Sequence, residues 1–154
     1  MTDPSALILT QALAGAAVGA VFVGLGSYLG GKRELALYAL GLAGAAVIYV
    51  GFAAWGGGRE HLGVEALGVA LFTLVVVTGV KWWPPLLAIG WAGHAAWDLA
   101  RHTQGEVAYV PGWYPAACSG FDLVVAAYLG WFLWRRAASA RRLAPQGPRR
   151  AAGR

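Results

Sequence analysis

Five long runs of apolar residues, separated by short polar connections, make up most of the chain. They fall at 6–29, 35–55, 62–80, 82–100 and 113–134. Each is about as long as the ~20 residues that carry a helix across a hydrocarbon core. The pattern predicts an all-α membrane protein, a bundle of about five transmembrane helices. Gly31, Lys32, Arg33 and Glu34 form the expected connection between the first two spans. Gly56-Gly57-Gly58-Arg59-Glu60-His61 separates the second from the third. Pro84-Pro85 marks the entry to the fourth, because the first turn of a helix does not need the donor that proline lacks. The longest connection, 101–112, precedes the fifth span, which is expected to stop at Arg135-Arg136. Trp55, Trp82, Trp83, Trp113, Tyr114, Trp131 and Trp134 fall near span ends, as an aromatic belt requires.

Composition agrees: 58% of the 154 residues are hydrophobic and 12% charged, so the bilayer is the expected solvent. Residues 1–143 read as a single transmembrane domain. Residues 144–154 read as a basic cytosolic tail, disordered or lying on anionic lipid. The first run is too long for a signal-peptide core and lacks a basic n-region, so it is expected to be retained. Cys118 is the sole cysteine, which excludes an internal disulfide and any CxxC motif.

Orientation follows from Lys and Arg. Arg135, Arg136, Arg141, Arg142, Arg149, Arg150 and Arg154 put the C-terminus in the cytosol and, with five spans, the N-terminus outside. Lys32, Arg33 and Lys81 then lie in inner loops and Arg59 and Arg101 in outer ones. Arg outnumbers Lys ten to two, and Ala and Gly abound, which fits a GC-rich bacterial genome and an inner-membrane location. The expected partners are the bilayer and a lipid-like ligand; no nucleic acid is expected. Gly15-x3-Gly19 and Gly26-x3-Gly30, with Gly41 and Gly44, permit close backbone approach, either between the chain's own helices or in a homo-oligomer.

The titratable residues away from the inner loops and tail converge on the outer side. Glu60, His61 and Glu65 open the third span; His94, Asp98 and His102 lie along the fourth; Asp122 lies on the fifth. His94, Asp98 and His102 are spaced i, i+4, i+8, which keeps them on one helical face. A carboxylate within the hydrocarbon costs about 2.5–3.5 kcal/mol on insertion scales, so Asp98 and Asp122 are expected to face a partner or a wet cavity. Imidazole and carboxylate are ligands suited to Zn or Fe, and the same groups can share a proton as an acid/base pair. His94, Asp98 and Asp122 are therefore the candidate catalytic residues; with His102 and Glu65 they form a candidate ligand set for a divalent metal. Plainer roles compete: His102 as an interfacial residue, Glu60 and His61 as loop residues, and the two aspartates as fasteners between helices. Glu34 is read as an acid favoured by a helix dipole.

Gly90-Trp91, His94, Trp97-Asp98, His102, Pro111, Cys118 and Asp122 resemble the signature of a small, uncharacterised bacterial integral-membrane family, GW-x2-H-x2-WD-x2-H-H followed by a proline, a cysteine and an aspartate. Arg101 stands where that pattern has the first of its paired histidines. The resemblance implies a bacterial membrane protein in which these positions matter, and it carries no activity. Three functions remain open: metal-assisted or acid/base chemistry on a lipid-like substrate in an outer-leaflet pocket; an accessory subunit held together by buried Asp and His; and a small transporter or proton conduit.

Overall fold

The computed structural model describes residues 3–103 and 108–143, the side chains of 101–103 and 143 excepted. Five helices follow one another, α1 (Pro4–Leu29), α2 (Gly31–Trp55), α3 (Leu62–Lys81), α4 (Pro85–Thr103) and α5 (Tyr114–Leu143), with one 3-10 turn at Arg59–His61. No strand occurs among the described residues. The expected all-α bundle is the observed architecture.

The helix ends show what a hydropathy pattern leaves out. Asp3 caps α1, its carboxylate accepting from the Ser5 amide at 3.0 Å, and Pro4 supplies a first helical residue with no donor to waste. The α1–α2 connection is far tighter than 31–34. Gly30 and Gly31 take φ of 63° and 60°, conformations that favour glycine, and together reverse the chain. Lys32, Arg33 and Glu34 thus belong to the first turn of α2. The fourth helix starts at Pro85 rather than at Trp82, since a residue before proline is pushed out of the α region and both Trp83 and Pro84 precede one. The fifth runs past Arg135-Arg136 to Leu143. Alanine and arginine favour helix, and leaving the hydrocarbon does not require a helix to end.

Arg59–Lys81, Pro4–Leu29, Gly31–Trp55 and Tyr114–Arg142 are long and apolar enough to cross a membrane. Outward-facing Leu9, Leu13, Val21, Leu40, Leu67 and Leu74 are all more than half exposed, an arrangement suited to lipid rather than water. The remaining helix, α4, is packed among them and carries its polarity inward. Leu87, Trp91, His94, Ala95 and Asp98 form a buried stripe at helical spacing, while Ala92, Gly93, Ala96 and Leu99 face out. The main core gathers Tyr38, Leu42, Phe72, Leu87, Trp91, Val125 and Leu129.

Helix order around the bundle differs from chain order. The chief partner of α1 is α5, which also packs on α4; α4 meets α3, and α3 meets α2. A Cβ on Gly15 would collide with the Ala117 carbonyl, and one on Gly120 with the Ala12 carbonyl, so these glycines let two backbones touch. Gly15-x3-Gly19 therefore serves a contact within the chain. Drawn onto α5, α1 meets α2 far less extensively, with Phe22 against Gly41 and Gly26 against Tyr38.

Candidate functional site

Two helical pairs at i, i+4 build the site: His94 and Asp98 on α4, Cys118 and Asp122 on α5. His94 Nδ1 lies 2.8 Å from Asp122 Oδ2 and 3.7 Å from Asp98 Oδ2. Cys118 Sγ is 3.8 Å from Asp122 Oδ2 and 3.6 Å from the Tyr114 hydroxyl. One potential ligand atom from each of the four lies within 4.8 Å of the others. His94 is 1% exposed, and Asp98 and Asp122 are completely buried. Phe72 of α3 meets the His94 ring edge-on at 5.0 Å, and Tyr49 of α2 does so at 6.4 Å, closing the cluster from two sides.

Satisfaction of these groups is uneven. Asp122 has its imidazole and thiol partners, but both Asp98 oxygens, His94 Nε2 and the Tyr49 hydroxyl are buried without a hydrogen-bond partner. A buried polar group left unpaired costs about 1–3 kcal/mol, more when charged. Two carboxylates around one imidazole form a site that a proton or a cation would stabilise.

The expected set is thus brought together in part. His94, Asp98 and Asp122 converge; Glu65 does not. Although buried, Glu65 sits nearer the end of the bundle and accepts from the Tyr109 hydroxyl at 2.5 Å, while His61 stacks on the same Tyr109 ring. Its helix, α3, faces the cluster with Phe72 instead, so among the described residues the candidate ligands come from α4 and α5. The His102 side chain lies outside the described residues, as does the tail 144–154. Glu34 is more than a helix-end acid: it is buried and accepts from Tyr128 at 2.8 Å and from Tyr38 at 3.4 Å.

Sequence reasoning missed Cys118 as a member of the cluster, and Tyr49 and Tyr114 as its walls. One signal was present, the i, i+4 spacing of Cys118 and Asp122, which repeats that of His94 and Asp98.

Beside the cluster lies a cleft of about 450 Å³ between residues 15–22 of α1 and 41–48 of α2. Its floor is Trp91 together with Trp113 and the first turns of α5, from Tyr114 to Asp122. The lining is almost wholly apolar, with Cys118 and Asp122 where the cleft borders the cluster. Val18, Ile48 and Trp113 stand at its mouth, 61%, 42% and 56% exposed.

Comparison with curated proteins and with solved structures returns no match. A family model does match, over residues 10–138, which take in all five helices in whole or in part and every residue of the cluster: the chain belongs to the family of unknown function DUF6010.

Proposed function

We propose that this is a multi-pass protein of the bacterial inner membrane, N-terminus outside and C-terminus cytosolic, that holds one divalent metal ion between His94, Asp98, Cys118 and Asp122 for chemistry on a lipid-like substrate. The observation that carries the reading is Asp98: a carboxylate with no exposed surface and no hydrogen bond on either oxygen, faced by the His94 ring at 3.7 Å and in reach of three other potential ligands. Imidazole nitrogen, carboxylate oxygen and thiolate sulfur are zinc donors, and ferrous iron takes the first two readily. With bonds of ~2.0–2.3 Å, ligand atoms of a tetrahedral site stand roughly 3.3–3.8 Å apart. A spread of up to 4.8 Å therefore closes by small side-chain rotations, and the 2.8 Å contact of His94 with Asp122 opens. For chemistry, three of the four groups would hold the ion and leave one position open; the ion would then act as a Lewis acid or lower the pKa of a water, with the remaining carboxylate free to take the proton.

The structural reading has one observation in its favour, the His94–Asp122 bond that ties α4 to α5. It leaves both Asp98 oxygens without a hydrogen bond, the His94 ring standing 3.7 Å off. A proton conduit would need to join this cluster to Glu34 and Tyr128 at the other end, and the fully buried Leu42, Trp91, Val125 and Leu129 fill the layer between. Elemental analysis of protein purified in detergent without chelators tests the metal reading. The wild type should carry roughly one zinc or iron per chain and Asp98→Ala almost none. A wild type that holds no stoichiometric metal, even after incubation with zinc, removes it.

A further inference from the structure

The cleft between α1 and α2 is larger than side-chain packing leaves by accident, and it falls within the ~300–1,000 Å³ range of ligand pockets. Its mouth opens sideways between two helices that are each long and apolar enough to cross a membrane. What stands before such a mouth is the bilayer interior, so the candidate occupants are a lipid chain and a helix of a second copy. Size separates them. The cleft runs along about two turns of α1 and of α2, or ~10 Å at ~1.5 Å per residue, so its 450 Å³ has a mean cross-section of ~45 Å². A helix with side chains is ~10 Å across, a section of ~80 Å². A second helix does not fit, and a single flexible hydrocarbon chain does.

We infer that the α1–α2 cleft is the lateral entry of the site and binds one acyl chain of a membrane phospholipid, laid along α5 so that the chain passes Cys118 and Asp122. The inference rests on the site reading above for what the chain meets. Trp113 marks the interfacial end of the cleft, as an indole at a helix start does. Cys118 and Asp122 follow it by five and nine residues, about 7 and 13 Å along the helix. The cluster thus borders the chain below the headgroup level. Glycine shapes the opposite wall. A Cβ on Gly44 would have nothing within 4 Å, although Gly44 lines the cleft, so its missing side chain is what keeps that volume empty.

The test uses the full chain in vesicles of phosphatidylethanolamine and phosphatidylglycerol that carry a photoactivatable diazirine midway along one acyl chain. Crosslinks mapped by mass spectrometry should concentrate on peptides containing Val18, Phe22 and 117–121, well above the level on α3 at Leu67 and Leu74, which are plain lipid-facing positions. Gly44→Leu, which fills the cleft without touching the packing, should lower the cleft crosslinks about tenfold, equivalent to ~1.4 kcal/mol of affinity. Val18→Trp, a change at an already exposed position, should do the same from the mouth. Crosslinks spread evenly over α1, α3 and α5, or undiminished in both variants, would overturn the inference. Metal content measured on the same samples reports separately on the metal reading: Gly44→Leu should keep its metal and lose its lipid, whereas a wild type without metal but with cleft crosslinks would retire the metal and leave the entry standing.

Discussion

At the scale of residues, the two aspartates invite opposite expectations. Asp122 is engaged with His94 across the α4–α5 contact. Asp122→Asn removes the charge from that bond and should lower stability by ~0.6–2 kcal/mol, the range for polar contacts between membrane helices, read as a drop in thermal midpoint in detergent. Asp98 makes no hydrogen bond in the metal-free protein and meets His94 at 3.7 Å, so Asp98→Asn should lower the apo midpoint less than Asp122→Asn does while abolishing metal uptake. Equal destabilisation by both would make Asp98 a structural group and count against the site. Cys118 allows a spectroscopic check: cobalt bound in place of zinc should show thiolate-to-metal charge-transfer absorption that disappears in Cys118→Ser, and a wild-type spectrum without that band would take the thiol out of the ligand set. The aspartates and His94 were legible in the sequence because ionisable groups inside an apolar run are expensive enough to need a reason. Cys118 and Tyr49 were not, since a thiol or a phenol crosses hydrocarbon at little penalty and announces nothing. Glu34 misled in the other direction: it stands near a span end, where the sequence does not distinguish a solvated carboxylate from one buried under tyrosines.

At the scale of elements, the helices themselves were plain from their length and apolarity, whereas their ends and their pairing were not. Hydropathy reports the solvent around a segment. It is blind to the glycine pair that turns α1 into α2 and to the alanines and arginines that prolong α5. Pairing depends on which small residues meet in space. The glycines of α1 could serve a sister chain or a neighbouring helix by sequence, and in the fold Gly15 lies on the Ala117 backbone. The choice bears on the proposed lipid entry, because a first helix tied to α5 rather than to α2 leaves the cleft open. It is also testable. Gly15→Leu must push α1 off α5 and should cost at least ~1–3 kcal/mol, seen as a lowered thermal midpoint or loss of monodisperse protein. Gly24→Leu, on the same helix with nothing within 4 Å of the added carbon, should be tolerated. A reversed pattern would place the α1 contact elsewhere.

At the scale of the whole molecule, the fold sorts charge by end. Tyr128 donates to Glu34, and Lys81 borders the same groove as Ala36, so the starts of α2 and of the basic stretch of α5 share one end with the finish of α3. Lys32, Arg33, Lys81, Arg135 and Arg136 are thereby collected at that end. At the opposite end Tyr109 packs on Gly56, Gly58 and His61, which means that α4 traverses the bundle before the chain turns back into α5. Five traverses of the bundle place Glu60 and Ser139 at its opposite ends, and the excess of Lys and Arg predicts that the Ser139 end is the cytosolic one. Both residues are exposed, and with Cys118→Ser the chain has no native thiol, so Glu60→Cys and Ser139→Cys can be compared on that background. A membrane-impermeant maleimide should label Cys at 60 in intact cells and Cys at 139 only after the membrane is opened. Labelling of 139 in intact cells would invert the protein and move the cluster to the inner leaflet; labelling of both would mean that α4 does not cross, and a site built from α4 and α5 would then need a different membrane frame.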